Sequence, residues 1–187
     1  EIEAERAFRD AMAIDATYAP AYIELANWYV ENDFQMYEGE LSGLYEVYLQ
    51  LVPNDAEALY GQALLSTEMQ DYGPALKLAE ALMDQYPGEG RFVVLAAQAQ
   101  AAMGDFDRAL DSFSIYLRML PEDERKIYDD LSIVAKPEEL KAYREIPESD
   151  REEFLEAFWR KRDLTLVSAG KARRVEHYRR VWYAQLH

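Results

Sequence analysis

With 187 residues, half of them hydrophobic, the chain is long enough for one domain or for a short repeat array with an appended module, and either can bury a core. Eight Gly and seven Pro exclude collagen-like or disordered chains, no run of 18 apolar residues offers a membrane span, and the lack of cysteine removes disulfides, thiolate metal sites and Cys nucleophiles. The net charge of −16 is uneven: residues 1–150 hold 11 Lys/Arg against 31 Asp/Glu, residues 151–187 hold nine against five, and no basic residue falls between Arg9 and Lys77, so nucleic acid is repelled by most of this surface.

Residues 3–14 place Ala4, Ala7, Phe8 and Ala11 on one side of a helix. They read as the second helix of a repeat whose first helix is missing, with Phe8 needing cover. Pro20 sits in the first turn of the next helix, where its missing N–H costs nothing, and Tyr22, Leu25, Ala26 and Tyr29 follow at helical spacing. The segment 31–43 is longer than a standard inter-helix turn and is expected to extend either the turn or one of the helices. Its carboxylates Glu31, Asp33, Glu38 and Glu40 lack the alternating ligand spacing of a calcium loop, so no metal site is read there.

A helix over 41–52 turns Leu44, Tyr45, Tyr48 and Leu51 inward, and Asn54 with Glu57 is expected to cap the next one. Leu59, Ala63, Met69, Tyr72, Ala75, Ala79 and Leu82 then lead to Pro87. Val93, Ala97, Gly104-Asp105-Phe106, Ala109, Phe113 and Tyr116 lead to Pro121. Pro53, Pro87 and Pro121 are therefore spaced by 34 residues, each closing a run of small and aromatic residues at helical spacing. Gly104 supplies permissive turn geometry, Phe106 a hinge plug and Ala109 a close helix contact.

Those residues resemble tetratricopeptide repeats over 1–121, as a half-repeat followed by three repeats of which the first carries the long turn. The resemblance implies an all-α solenoid of antiparallel helix hairpins, without cofactor, whose concave face holds peptides or other proteins. Carried onto matching positions, that groove includes Asn27, Glu57, Tyr60, Leu64, Arg91, Val94 and Gln98. The version of the groove that clamps chaperone tails is disfavoured. Ile23, Gly61 and Leu95 stand where its polar and basic donors belong.

Beyond Pro121 the period stops, and residues 122–187 read as a C-terminal helical module. Residues 122–135 suggest a helix with Ile127, Leu131 and Val134 on one stripe, and Pro137 with Glu138 and Glu139 opens another. Ser149 and Glu152 form a capping box before Phe154, Leu155, Phe158 and Trp159, and after the loop 164–170 a last helix turns Val175, Tyr178, Trp182 and either Leu186 or Val181 inward. Phe154, Phe158, Trp159, Arg162, Asp163, Glu176, His177, Tyr178, Arg179, Arg180 and Tyr183-Ala184 resemble the opening of the GWxTD domain, a bacterial module of unassigned function, without its naming motif. That likeness implies a bacterial envelope or secreted setting; a cytoplasmic one stays open.

No glycine-rich phosphate loop, serine elbow or zinc-binding histidine spacing occurs, so no catalytic or metal residue is assigned. Glu176 and His177 point about 100° apart on a helix and read as structural partners rather than an acid–base pair. Two readings of different class remain. The first is a non-catalytic protein-binding scaffold. The second is a subunit that associates head to tail with its own copies through Phe8, Arg173, Arg174, Arg179, Arg180 and Trp182, its basic tail on an acidic neighbour.

Overall fold

Each of the three periodic prolines lies two residues past the end of a helix in the computed structural model, which describes residues 2–163 and 170–186. Pro53 follows α2 (Ala19–Leu51), Pro87 follows α4 (Tyr72–Gln85) and Pro121 follows α6 (Phe106–Met119). The remaining helices are α1 (Ile2–Ile14), α3 (Ala56–Glu68), α5 (Gly90–Ala102), α7 (Glu122–Tyr128), α8 (Pro137–Glu145), α9 (Arg151–Arg160) and α10 (Lys171–Leu186), with a 3-10 turn at Glu148–Asp150. Among the described residues there is no strand, and most of the packing is between helices consecutive in sequence within each unit, as in α1–α2, α2–α3, α3–α4 and α5–α6. None of the described helices is long and apolar enough to cross a membrane.

The chain divides into two compact units, Glu1–Pro87 and Gly88–His187. Charge divides with them: residues 1–87 carry three Lys/Arg against 17 Asp/Glu, and residues 88–187 carry 17 against 19.

In the first unit α1 packs on α2, α2 on α3 and α3 on α4. Leu25, Ala26, Tyr29, Leu41, Tyr45, Tyr48, Ala58 and Leu65 form the core, and Phe8 and Met12 of α1 pack against it. The half-repeat therefore covers Phe8 from within its own unit. Of the two expectations for 31–43, an extended turn or an extended helix, the structure has the second, because the helical pattern of α2 runs through it. A straight helix would hold the Cα atoms of Tyr29 and Glu40 about 16 Å apart, beyond the joint reach of the two side chains. Yet Tyr29 Oη lies 3.1 Å from Glu40 Oε2, and the rings of Tyr29 and Tyr37 stack at 3.9 Å. The helix is therefore bent between these residues. Arg9 of α1 fixes the bend, donating to both Tyr29 Oη (2.6 Å) and Glu40 Oε2 (2.5 Å).

The cap on α3 also differs by one residue from expectation. Asp55, not Asn54, accepts from the Ala58 N–H at 3.0 Å, while Asn54 takes a left-handed φ of 69°. Asp105 caps α6 in the same way, accepting from Arg108 N, and Gly104 before it has φ 83°.

In the second unit α5 is buried from Phe92 through Ala101, with α6 and α10 both packed on it. Val94, Ala97, Ala101, Ala109, Phe113, Leu117, Tyr128, Val175 and Tyr178 make its main core, and Trp182 packs at the edge. The helix expected over 122–135 ends at Tyr128. Asp130 Oδ1 accepts from Ser132 N at 2.8 Å, offering the backbone a turn instead of another helical bond. Ile127 and Val134 consequently face outward, and Tyr128 and Leu131 are the residues buried. Pro137 does open α8, where Glu139 accepts from Lys136 N. The expected Ser149–Glu152 box does not form: Ser149 bonds Asp150, and Glu152 bonds Arg174 of α10. Leu155, Phe158 and Trp159 are buried with Leu131 in a smaller cluster. The loop 164–170 lies outside the described residues except for Gly170, and the side chain of Leu186 lies outside them too.

Candidate functional site

α10 carries five basic side chains on one helix, and its placement starts at Gly170. That residue has φ 90°, and its N–H donates to the buried carboxylate of Asp163 at 2.9 Å. One turn further, the buried guanidinium of Arg174 reaches α9, bonding both carboxylate oxygens of Glu152 at 2.5 and 2.9 Å. Arg174 Nε also donates to Tyr178 Oη at 2.8 Å. Burial opposes the charge on Arg174, but the bonds from Glu152 and Tyr178 outweigh it and hold the guanidinium protonated. Burial likewise pushes the Tyr178 phenol up to about 12.

His177 ties α10 to the end of α7. Its Nε2 lies 2.9 Å from the Tyr128 carbonyl, which can only accept, so Nε2 carries the hydrogen and the neutral ring has its lone pair on Nδ1. Burial pulls the imidazole below its ordinary value, against the bond to Tyr128. Glu176 pairs instead along its own helix, with Arg179 at 3.3 Å and Arg180 at 2.7 Å. The two neighbours therefore bond different partners.

The face of α10 next to α5 holds a depression of about 330 Å³ lined by Gln98, Glu176, Arg179, Arg180 and Tyr183. Arg179 Nε donates to Gln98 Oε1 at 3.0 Å, which fixes the amide so that Nε2 is turned away from the guanidinium. Nε2 is buried and has no hydrogen-bond partner, although Gln98 is only 5% exposed. Leaving such a donor unpaired costs about 1–3 kcal/mol. On its far side the Glu176–Arg180 pair borders a second depression of about 310 Å³, where Trp159, Arg162, Arg173 and His177 also line the wall. Arg162 is committed there, to Glu139 at 2.5 Å and over the Phe158 ring. Arg173 is exposed and has no bonded partner among the described residues. The surface is thus rich in N–H donors, and it suits carbonyl and carboxylate oxygens.

The groove residues inferred from repeat positions do not share one fate. Asn27 and Glu57 are exposed, Tyr60, Leu64 and Arg91 are half-buried, and Arg91 lies over the Phe92 ring and 3.4 Å from Glu89. Val94 is 2% exposed and belongs to the core, where no partner reaches it. Of that set, Gln98 alone borders the depression described. Among the residues considered for self-association, Phe8 and Trp182 pack within their own units, and Arg174 is spent on Glu152. Arg173 and Arg180 are exposed, and Arg179 is half-buried. Tyr183 was not foreseen in this role; it is exposed on α10 one turn beyond Arg179. Among the described residues no group of three or more His, Asp or Glu could hold a metal ion.

No protein-family model matches the chain, and no curated protein sequence matches it either.

Proposed function

We propose that the chain is a non-catalytic scaffold of the tetratricopeptide type whose ligand is a segment of another protein, taken up on the α5–α10 face of residues 88–187. The observation that carries this reading is the depression lined by Gln98, Arg179, Arg180 and Tyr183, where two guanidiniums meet an exposed aromatic ring. A carbonyl or carboxylate oxygen arriving from outside accepts from the exposed guanidinium N–H groups of Arg180 and Arg173. The equivalent seats of Pro53, Pro87 and Pro121 support the repeat assignment. The non-catalytic part is supported by Glu176 and His177 each being held by a structural partner.

Selection from a displayed peptide library tests it. Peptides enriched on the wild-type protein are expected to shift the Gln98 side-chain amide resonances and to lose affinity for Gln98→Leu and Arg180→Glu. A library that enriches nothing, or peptides that bind both variants as well as the wild type, would refute the reading.

The division of charge favours a second reading, in which the segment belongs to another copy of the chain. Residues 1–87 carry 17 acidic side chains against three basic ones and could meet the donors of α10. That version demands a species larger than 21.7 kDa in sedimentation, shrinking as salt is raised. A single monomeric boundary at low salt removes it.

A further inference from the structure

On the other side of α10, helices from four parts of the second unit each bring an arginine to one cavity of about 380 Å³. Arg118 comes from α6, Arg125 from α7, Arg151 from the first residue of α9 and Arg174 from α10. Arg174 is neutralised by Glu152. Arg118, Arg125 and Arg151 have no carboxylate at bonding distance among the described residues, although the chain holds 36 Asp/Glu. Elsewhere on the unit, Arg162, Arg179 and Arg180 each have such a partner, while Arg144, Arg160 and Arg173 have none among the described residues; what sets the cavity apart is that three such arginines line it together.

We propose that this cavity binds a small, multiply charged oxyanion, a phosphate ester or a polycarboxylate. Three guanidiniums drawn together from separate helices repel one another, and although Asp129 and Glu148 line the same cavity, neither is within bonding distance of them. A shared anion turns that repulsion into attraction, and the planar fork of each guanidinium matches two oxygens of a phosphate or carboxylate. The volume exceeds what a bare inorganic ion needs and falls within the range of small-molecule sites. Tyr143 supplies an aromatic wall, with the Arg151 guanidinium 5.7 Å from its ring centre.

Asp129 lines the same cavity, half-buried and without a hydrogen-bond partner. Arg125, Arg151, Arg174 and Glu152 are the charged groups that act on it, and burial raises its carboxyl above the ordinary range.

The site is separate from the Gln98 depression, so its failure leaves the protein-binding reading standing. The test is thermal unfolding and calorimetry of the full chain with inorganic phosphate and with citrate, against chloride at matched ionic strength. A rise in melting temperature above the chloride control is expected with at least one of them. Phosphate alone points to a phosphoryl head, and citrate alone to carboxylates. Arg125→Gln with Arg151→Gln should weaken that binding about tenfold or more, as expected for lost charge-assisted bonds, while the unliganded variant melts like the wild type. Arg173→Gln, outside the cavity, should bind as the wild type does. No effect of either anion beyond chloride, or an undiminished effect in the double variant, overturns the proposal.

Discussion

Gly170→Ala should unfold the junction between α9 and α10, and the structure says why. At φ 90° an L residue is strained, at about 1–2 kcal/mol. An added Cβ would also stand 2.5 Å from Arg160 N and 2.7 Å from the Trp159 carbonyl carbon. Both are backbone atoms in the last turn of α9, so neither can swing aside as a side chain would. Overpacking of this kind costs about 1–3 kcal/mol more. The sum, roughly 2–5 kcal/mol, is a large fraction of what an ordinary domain has. The Asp163 carboxylate that accepts from Gly170 N would be displaced as well. Urea unfolding followed by tryptophan fluorescence reads the effect, because Trp159 is buried beside the junction. Gly43→Ala is the control: inside α2 a Cβ there meets nothing within 4 Å, and exchange for the better helix former should stabilise by about 0.5–1 kcal/mol. If Gly170→Ala unfolds at the same urea concentration as the wild type, the close approach of α10 to the end of α9 is not what holds them together.

Three further substitutions probe the same unit and the repeat turns. His177 is held neutral by burial, so its contribution to stability is complete above the ordinary histidine value and is lost as pH falls through its depressed folded one. Acidification from about pH 7 to 5 should lower the melting temperature more in the wild type than in His177→Gln, and parallel curves would show that the imidazole stays unperturbed. Glu152→Gln leaves the buried Arg174 guanidinium without its carboxylate, and because Glu152 itself is 62% exposed the expected loss is about 1–2 kcal/mol in chemical denaturation, less than for a wholly buried pair. Gln70 holds a left-handed φ of 60°, so Gln70→Gly should raise stability by up to about 1 kcal/mol; a loss would mean that the Gln70 side chain contributes more than its backbone costs.

Local chemistry was legible in the sequence wherever one residue type solves a backbone problem. Pro53, Pro87 and Pro121 cannot continue a helix, and each falls just after one; Asp105 after Gly104 makes a turn and a cap together. What depends on distant partners was not legible. The bend in α2 needs Arg9 to bridge Tyr29 and Glu40, and the acids and glycines of 31–43 read as a turn as readily as a helix. Gln98 was marked by its repeat position, but its orphaned amide exists only because Arg179, 81 residues later, takes the other end. Likewise nothing near Arg118, Arg125 or Arg151 in sequence announces that their helices converge. The two inter-helix turns show where local reading stops. Gly104 (φ 83°) and Gln70 (φ 60°) are 34 residues apart and occupy the same left-handed slot before an aspartate. Glycine makes that slot visible in one repeat and glutamine hides it in the other, because both residues take the conformation and glycine only lowers its cost.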